Sequence, residues 1–159
     1  MGQPLLKESA FDAPPHLVDP SGALGVYWTD PPGVLVQFIR PARGTTELAE
    51  WLTSEGLELL IARFPVDQEL RLILDMRQMV GRSASARSLL MRASKTSRSR
   101  VQHVVLLPSV HLGATYAKVI EASAVVLRML GYRVHVEHDL ERALKKHGTR
   151  LLAAPRDRR

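Results

Sequence analysis

The chain has 159 residues, 45% of them hydrophobic, and a formal net charge of +6 at pH 7. A chain of this length supports one hydrophobic core, so we expect a single domain. The absence of cysteine excludes disulfides, thiolate nucleophiles and cysteine-based zinc sites. No apolar stretch reaches the roughly 20 residues that span a membrane, and the N-terminus lacks a secretory signal pattern, so we expect a soluble, cytoplasmic protein.

The first part of the chain predicts an arm, a hairpin and a helix. Residues 1–22 contain four prolines and little apolar periodicity, which indicates an N-terminal arm. Two β-rich runs, 23–29 and 34–40, flank the turn sequence Asp-Pro-Pro-Gly and predict an antiparallel hairpin. Threonine caps begin a helix over residues 45–63. The outer face of this helix carries an acidic stripe of Glu47, Glu50, Glu55 and Glu58.

Strands and helices alternate in the rest of the chain. Short apolar runs predict strands at residues 70–74, 101–107 and 133–137. Apolar spacing and capping residues predict helices at residues 84–97, 112–130 and 140–146. The 112–130 helix has an unusually wide apolar face, with surface left over after it packs on the sheet.

This order of elements predicts one α/β domain over residues 23–147, followed by a basic tail, residues 148–159. We expect a mixed sheet of about five strands with an N-terminal antiparallel hairpin and about four helices. Ligands of such sheets bind at the carboxyl ends of the strands. The loops at those ends are residues 75–83, 108–111 and 137–139.

Positive charge is concentrated around the second predicted helix. Residues 76–120 contain eight Lys or Arg and no Asp or Glu, whereas the rest of the chain has fourteen basic and sixteen acidic residues. Nucleic-acid binding is the weaker interpretation, because no Phe, Tyr or Trp lies between Phe64 and Tyr116 to stack on a base and no helix-turn-helix pattern is present. An acidic protein partner is favoured, and the acidic stripe of the first helix makes a homo-oligomer conceivable. The basic residues of the 81–100 segment are Arg82, Arg87, Arg92, Lys95, Arg98 and Arg100.

Ser83 and Ser85 stand where the second predicted helix begins. A helix N-terminus has unpaired N–H groups and a partial positive charge, so it stabilises a phosphate, and Arg82 and Arg87 would add to this. Serine is also a common helix cap. Two interpretations therefore stay open, a plain cap and a phosphorylation site or anion seat.

Catalytic patterns are weak. Asp75, Ser83, His103 and His111 supply the residue types of a hydrolytic triad, but no G-x-S-x-G motif is present, and His103 lies within a strand, where a satisfied structural histidine is the favoured interpretation. The chain also has no Walker loop and no G-x-G-x-x-G sequence. We therefore expect no enzyme activity and no cofactor.

Histidine and carboxylate side chains, both possible metal ligands, lie at the end of the last predicted strand. His135 and Glu137 share a face of the predicted strand, while His138 points away from it unless the strand has ended. No third ligand with suitable spacing is evident in the sequence. The sequence therefore predicts no metal site.

Four segments carry a resemblance to a known family: "GVLVQFIRPARGTTELAEWL", "LRLILDMRQMVGRSASARSLL", "VQHVVLLPS" and "GYRVHVEHDLERAL". They resemble STAS domains, the anti-sigma-factor-antagonist fold, and in particular the divergent bacterial branch grouped with lipid-carrier-like STAS proteins. The resemblance implies a non-enzymatic domain that binds partner proteins, often switched by phosphorylation of a serine at the start of the second helix. The family's Asp-Ser-Ser-Gly-like turn corresponds here to Arg-Ser-Ala-Ser, residues 82–85.

We therefore expect a regulatory protein-interaction module that docks its partner through residues 75–92. The alternative is a small-molecule or lipid-binding sensor whose ligand, a small apolar molecule, contacts the 112–130 helix. The expected partner-binding residues are Asp75, Arg82, Arg87, Arg92 and Lys95.

Overall fold

The computed structural model describes residues 15–65, 67–89 and 100–152. Its strands are β1 (Leu17–Val18), β2 (Leu24–Asp30), β3 (Gly33–Phe38), β4 (Ala42–Gly44), β5 (Leu70–Asp75), β6 (Met79–Arg82), β7 (Val101–Leu107), β8 (Arg133–Val136) and β9 (Arg150–Leu151). Its helices are α1 (Thr46–Trp51), α2 (Leu57–Arg63), α3 (described over 84–89), α4 (Gly113–Met129) and α5 (Leu140–Lys146).

The main sheet is mixed. Its strands follow the order β1-β2-β3-β5-β7-β8, and β9 pairs with the end of β2. Neighbours among β3, β5, β7 and β8 run parallel, whereas β2 is antiparallel to β1, β3 and β9. The predicted α/β fold with an N-terminal antiparallel hairpin is confirmed, and the five predicted strands correspond to β2, β3, β5, β7 and β8.

Very short strands extend the sheet beyond the predicted limits of the domain. β1 lies within the stretch interpreted as an arm, and β9 lies within the predicted tail. A second pair, β4 and β6, runs parallel in the loops before α1 and α3. These four strands carry no sustained apolar alternation, so only the tertiary pairing defines them.

Gly33 allows β3 and β5 to approach each other closely. A Cβ atom at this position would lie 2.2 Å from the Arg71 carbonyl oxygen. At this point the Arg71 amide donates to the Pro32 carbonyl over 3.0 Å. The glycine of the predicted turn is therefore required by packing between strands.

The predicted helix over 45–63 is interrupted. A π-helical segment, Leu52–Gly56, separates α1 from α2. Thr53 Oγ1 donates to the Ala49 carbonyl over 2.8 Å and Ser54 Oγ donates to the Glu50 carbonyl over 2.6 Å. Hydroxyl groups that bond to the preceding turn compete with the regular helical ladder and favour such a bulge.

The two faces of the sheet carry separate apolar clusters. The larger cluster packs one face against α1 and α4 through Leu48, Tyr116 and Ile120. The smaller one packs the opposite face against α5 through Leu140 and Ala143. Side chains alternate between these faces along each strand, and a different candidate site lies on each face.

Candidate functional sites

An apolar cavity of about 190 Å³ lies on the larger face, between the sheet and α1, α3 and α4. It begins at the carboxyl end of β5, where Asp75 and Met76 line it, which is the edge that the sequence predicted for a ligand. The α4 helix contributes Tyr116, Ile120 and Leu127, as expected of the predicted 112–130 helix. Further lining residues are Leu24, Val36, Phe38, Leu48, Ala49, Leu52, Leu74, Met79, Leu106 and Ser123.

Two of the predicted partner-binding arginines line this cavity. Arg82 is half-buried and Arg87 is exposed. The Arg82 guanidinium carbon lies 5.1 Å from the centroid of the Tyr116 ring, a cation–π contact that holds the charge at the cavity wall. Burial raises the pKa of the Tyr116 hydroxyl, and the nearby Arg82 charge opposes this rise. An apolar space with cationic groups in its lining suits a ligand with one apolar and one anionic part.

Ser83 caps α3. Its hydroxyl accepts from the Ala86 amide over 3.1 Å, and its carbonyl accepts from the Arg87 amide over 3.3 Å. Thr46 Oγ1 lies 2.6 Å from Ser85 Oγ and 3.4 Å from Ser83 Oγ. Parallel pairing of β4 with β6 therefore brings the starts of α1 and α3 together. The capping interpretation has direct geometric support, and modification of either serine stays a prediction.

Asp75 lies in a buried ion pair. It is 2% exposed, and its two carboxylate oxygens accept from Arg77 Nε and Nη2, both over 2.9 Å. Gln37 Nε2 donates to the same carboxylate over 2.9 Å. Asp75 was predicted to touch a partner, but these contacts use its carboxylate internally, to fix the loop after β5. A docking protein would meet the loop surface and not this side chain.

Apolar groups on the loops are accessible. Val80 is 45% exposed and Val110 is 71% exposed. The two loops are joined, because the Val110 amide donates to the Arg77 carbonyl over 3.1 Å. We call Val80, Val110 and the exposed Arg87 the loop surface. Val80 and Arg87 belong to the predicted 75–92 docking region, and Val110 lies on the loop that is hydrogen-bonded to it.

The basic cluster is only partly described. Arg92, Lys95 and Arg98 lie outside the described residues. Arg100 donates to the carbonyls of Phe64, Pro65 and Gln68, so these hydrogen bonds stabilise the loop after α2. Together with Arg77, this shows that part of the positive charge interpreted as a binding surface has a structural role.

Three histidines converge on the smaller face. They are His103 on β7, His135 on β8 and His147 at the end of α5, and one ring nitrogen from each lies within 4.8 Å of the others. The ring centroids are 5.1 Å apart for His103 and His135, 5.3 Å for His103 and His147, and 4.7 Å for His135 and His147. This histidine cluster was not predicted, since its members are separated by 32 and 12 positions in the sequence.

His103 differs from its predicted state. Instead of a satisfied structural histidine, it has a buried Nε2 with no hydrogen-bond partner among the described residues. Burial, and next the Arg71 charge, lower the pKa of His103 to about 4. Burial and the His147 ring also lower the pKa of His135. Burial, together with neighbouring charged groups, therefore disfavours protonation of His103 and His135.

Glu137 is the acid nearest to the cluster. His147 Nε2 lies 3.3 Å from Glu137 Oε1, which also accepts from Lys146 Nζ over 2.9 Å. The hydrogen bond from Lys146 is the largest influence on the pKa of Glu137 and lowers it. His138, a candidate ligand at the end of the predicted strand, is exposed and is not in the cluster.

Comparisons with known proteins identify the fold. No family model and no curated protein matches the sequence. Among solved structures, the chain is similar to an uncharacterized protein of the DUF3478 family with a SpoIIAA-like fold from Shewanella loihica PV-4. The TM-score is 0.57 with 17% sequence identity, and the match covers 78% of this chain and 91% of the other. Within the described ranges, no helix has the length and apolar character needed to cross a bilayer. The similarity confirms the resemblance found in the sequence: the chain has the SpoIIAA-like fold, which is the STAS fold.

Proposed function

We propose that this domain binds a small anionic amphiphile and acts as a binding module, not as a catalyst. One observation carries the proposal: an apolar cavity of about 190 Å³ has two arginines, Arg82 and Arg87, in its lining. An engineered apolar cavity of about 150 Å³ is large enough to bind benzene. The apolar part of the ligand therefore corresponds to a short acyl chain or a single ring.

The polar part of the ligand would lie against the arginines. Guanidinium groups bind carboxylates and phosphates with strong, charge-assisted hydrogen bonds. Engagement of Asp75 by Arg77 and Gln37 supports a binding role, because the acid nearest to the cavity is not free to act as a base.

A chain-length series tests this function. Saturated carboxylates from four to twelve carbons are titrated into the protein by calorimetry, each beside the alcohol of equal length. Burial of each methylene contributes about 0.8 kcal/mol, so affinity should rise about fourfold per carbon and then stop rising when the cavity is full. Arg87→Gln should weaken binding of the carboxylates and leave binding of the alcohols unchanged.

A matched pair of variants locates the ligand. Ala49→Leu fills the cavity from α1, whereas Ala122→Leu adds the same atoms to an exposed position of α4. Ala49→Leu should abolish binding and Ala122→Leu should retain it. Equal binding by the two variants, or no saturable binding of any chain length by the wild type, would contradict the proposal.

A second candidate function is protein interaction, favoured by the loop surface. Its exposed valines and its arginine offer apolar groups and a positive charge, which are common components of docking sites. In this function the loop surface would contact an acidic partner, as the sequence analysis expected. Regulation through Ser83 or Ser85 belongs to this candidate.

Site-specific photo-crosslinking in the host cell tests the second candidate. A crosslinker at position 110 should capture one defined protein, and Arg87→Glu should abolish the adduct. A crosslinker at position 129, where Met129 is 82% exposed, is the control. The same adducts from both positions would contradict docking through the loop surface. Intact-mass analysis of the same preparations tests the two serines for a phosphate.

A further inference from the structure

We infer that the histidine cluster binds one divalent transition-metal ion of the zinc class. The cluster lies on the face of the sheet opposite the apolar cavity, so this inference is independent of the proposed function. His103, His135 and His147 would supply three imidazole ligands, leaving one coordination position for water or an anion.

The geometry is close to that of a bound metal. A tetrahedral zinc ion holds its nitrogen ligands at about 2.0–2.1 Å, which places the ligand nitrogens about 3.3 Å from one another. The nitrogens of the cluster already lie within 4.8 Å. His135 is exposed, so its side chain can rotate towards the other two rings without disturbing the core.

An unpaired nitrogen supplies a second, independent observation. His103 Nε2 is buried and has no hydrogen-bond partner in the described part of the chain. A buried polar group left unpaired costs about 1–3 kcal/mol, and buried polar atoms in native proteins nearly always have a partner. A metal ion between the three rings would accept the lone pair of this nitrogen.

The surroundings hold the third ligand in place. The side chain of His147 is 8% exposed, and its Nε2 lies 3.3 Å from the Glu137 carboxylate. Carboxylates behind a ligating histidine fix its tautomer and orientation. Arg71 donates to the His147 carbonyl and, over 3.2 Å, to Thr149 Oγ1. Gly148 follows with a φ of +59°, a conformation that glycine adopts without strain and that turns the chain back towards β9.

The donor set selects the class of ion. Imidazole nitrogen suits Zn²⁺ and its neighbours in the first transition row, whereas Mg²⁺ and Ca²⁺ require oxygen ligands. Positive charges of Arg71, Arg133 and Lys146 act on the cluster and lower its affinity for any cation. They also favour an anion, such as hydroxide or a carboxylate, as the fourth ligand.

Calorimetric titration tests the inference. The full chain without an affinity tag is treated with a chelator, dialysed and titrated with Zn²⁺ and, separately, with Mg²⁺. We expect one saturable Zn²⁺ site per chain and no heat from Mg²⁺. His135→Ala should weaken Zn²⁺ binding at least about 100-fold, and Glu137→Gln, which removes the negative charge behind His147, should weaken it about 10- to 100-fold.

Matched controls distinguish the cluster from scattered histidines. His111→Ala and His138→Ala remove exposed histidines outside the cluster and should leave Zn²⁺ affinity within about twofold. The circular-dichroism spectrum and melting temperature without metal check that each variant is folded. Added Zn²⁺ should raise the melting temperature of the wild type and of His138→Ala but not that of His135→Ala. No saturable Zn²⁺ binding by the wild type, or equal binding by His135→Ala and His138→Ala, would overturn the inference.

Discussion

The two faces of the sheet differ in what they leave incomplete. The larger face packs two helices over the strands and still encloses an apolar cavity, beside which Arg82 stacks on Tyr116. The smaller face is packed by α5 around Leu35 and Ala143, which are 0% and 1% exposed, and its unsatisfied group is polar, the His103 Nε2. The larger face therefore has an unfilled apolar space, and on the smaller face a buried ring nitrogen has no hydrogen-bond partner among the described residues.

The apolar cavity and the unpaired His103 nitrogen favour different ligands. An empty apolar space gains free energy from an apolar group of matching size. An unpaired ring nitrogen beside two other imidazoles gains free energy from a Lewis acid. The apolar cavity and the histidine cluster lie in one small domain but share no residues. Each site can therefore be changed by mutation separately.

The largest expected effect concerns the buried ion pair at the start of the cavity. Asp75→Ala removes the partner of Arg77, whose side chain is 12% exposed, and leaves it unpaired. Loss of one member of a buried pair costs about 3–5 kcal/mol. Urea denaturation should report this loss, and carboxylate binding in the cavity should fall with it.

Asp30→Ala is the control for that change. Its partner Arg150 is 80% exposed, and an exposed pair is worth about 0–1 kcal/mol. A loss from Asp75→Ala no larger than that from Asp30→Ala would show that the Asp75–Arg77 pair does not support the cavity.

The next effect compares the packing of the two faces directly. Ala143→Leu adds three carbon atoms to a position that is 1% exposed and fully surrounded, so overpacking should cost about 1–3 kcal/mol. Ala49→Leu adds the same atoms beside the cavity and should be neutral or stabilise by up to about 1 kcal/mol. Thermal unfolding measures the change in stability of each variant. Equal destabilisation would remove the contrast between the faces.

The smallest expected effect is a pH dependence of the free energy of unfolding. It arises from Asp19, which lies at the edge of the sheet, away from both candidate sites. Burial raises the pKa of Asp19. Hydrogen bonds from the Leu24, Ser21 and Ala23 amides and from the Ser21 hydroxyl together lower it by more, so the folded-state pKa lies below the ordinary value. The charged carboxylate therefore stabilises the fold above the ordinary aspartate pKa of about 3.9 and loses this contribution as pH falls through the lower folded value.

Asp19→Asn tests that dependence. At pH 7 the variant should lose about 1 kcal/mol of stability, and the difference from the wild type should shrink as the pH falls from 5 to 2. Urea denaturation across this range measures it. A difference that stays constant with pH would assign the effect to packing instead of charge.

Local patterns were enough to predict the framework. The alternation of apolar runs predicted β2, β3, β5, β7 and β8, and capping residues such as Ser83 and Asp139 predicted where α3 and α5 begin. Asp139 Oδ1 indeed accepts from the Arg142 amide over 2.8 Å. These signals are readable because strand period, helix period and capping depend on residues that are close in the sequence.

Charge was harder to interpret from the sequence. Arg82 and Arg87 lie in the predicted region and line the cavity, whereas Arg77 and Arg100 bind groups of the fold itself. A count of basic residues cannot separate the two roles, because the sequence does not show which carbonyls and carboxylates lie within reach.

The sequence by itself determined the STAS-like order of strands and helices, because periodicity and caps are local properties of the chain. Only the tertiary structure decided where space was left between α1 and α4, and that His103, His135 and His147 meet. Both outcomes depend on which residues from distant segments become neighbours when parallel strands are brought into register. That register is set by packing over the whole sheet, and no short stretch of sequence specifies it.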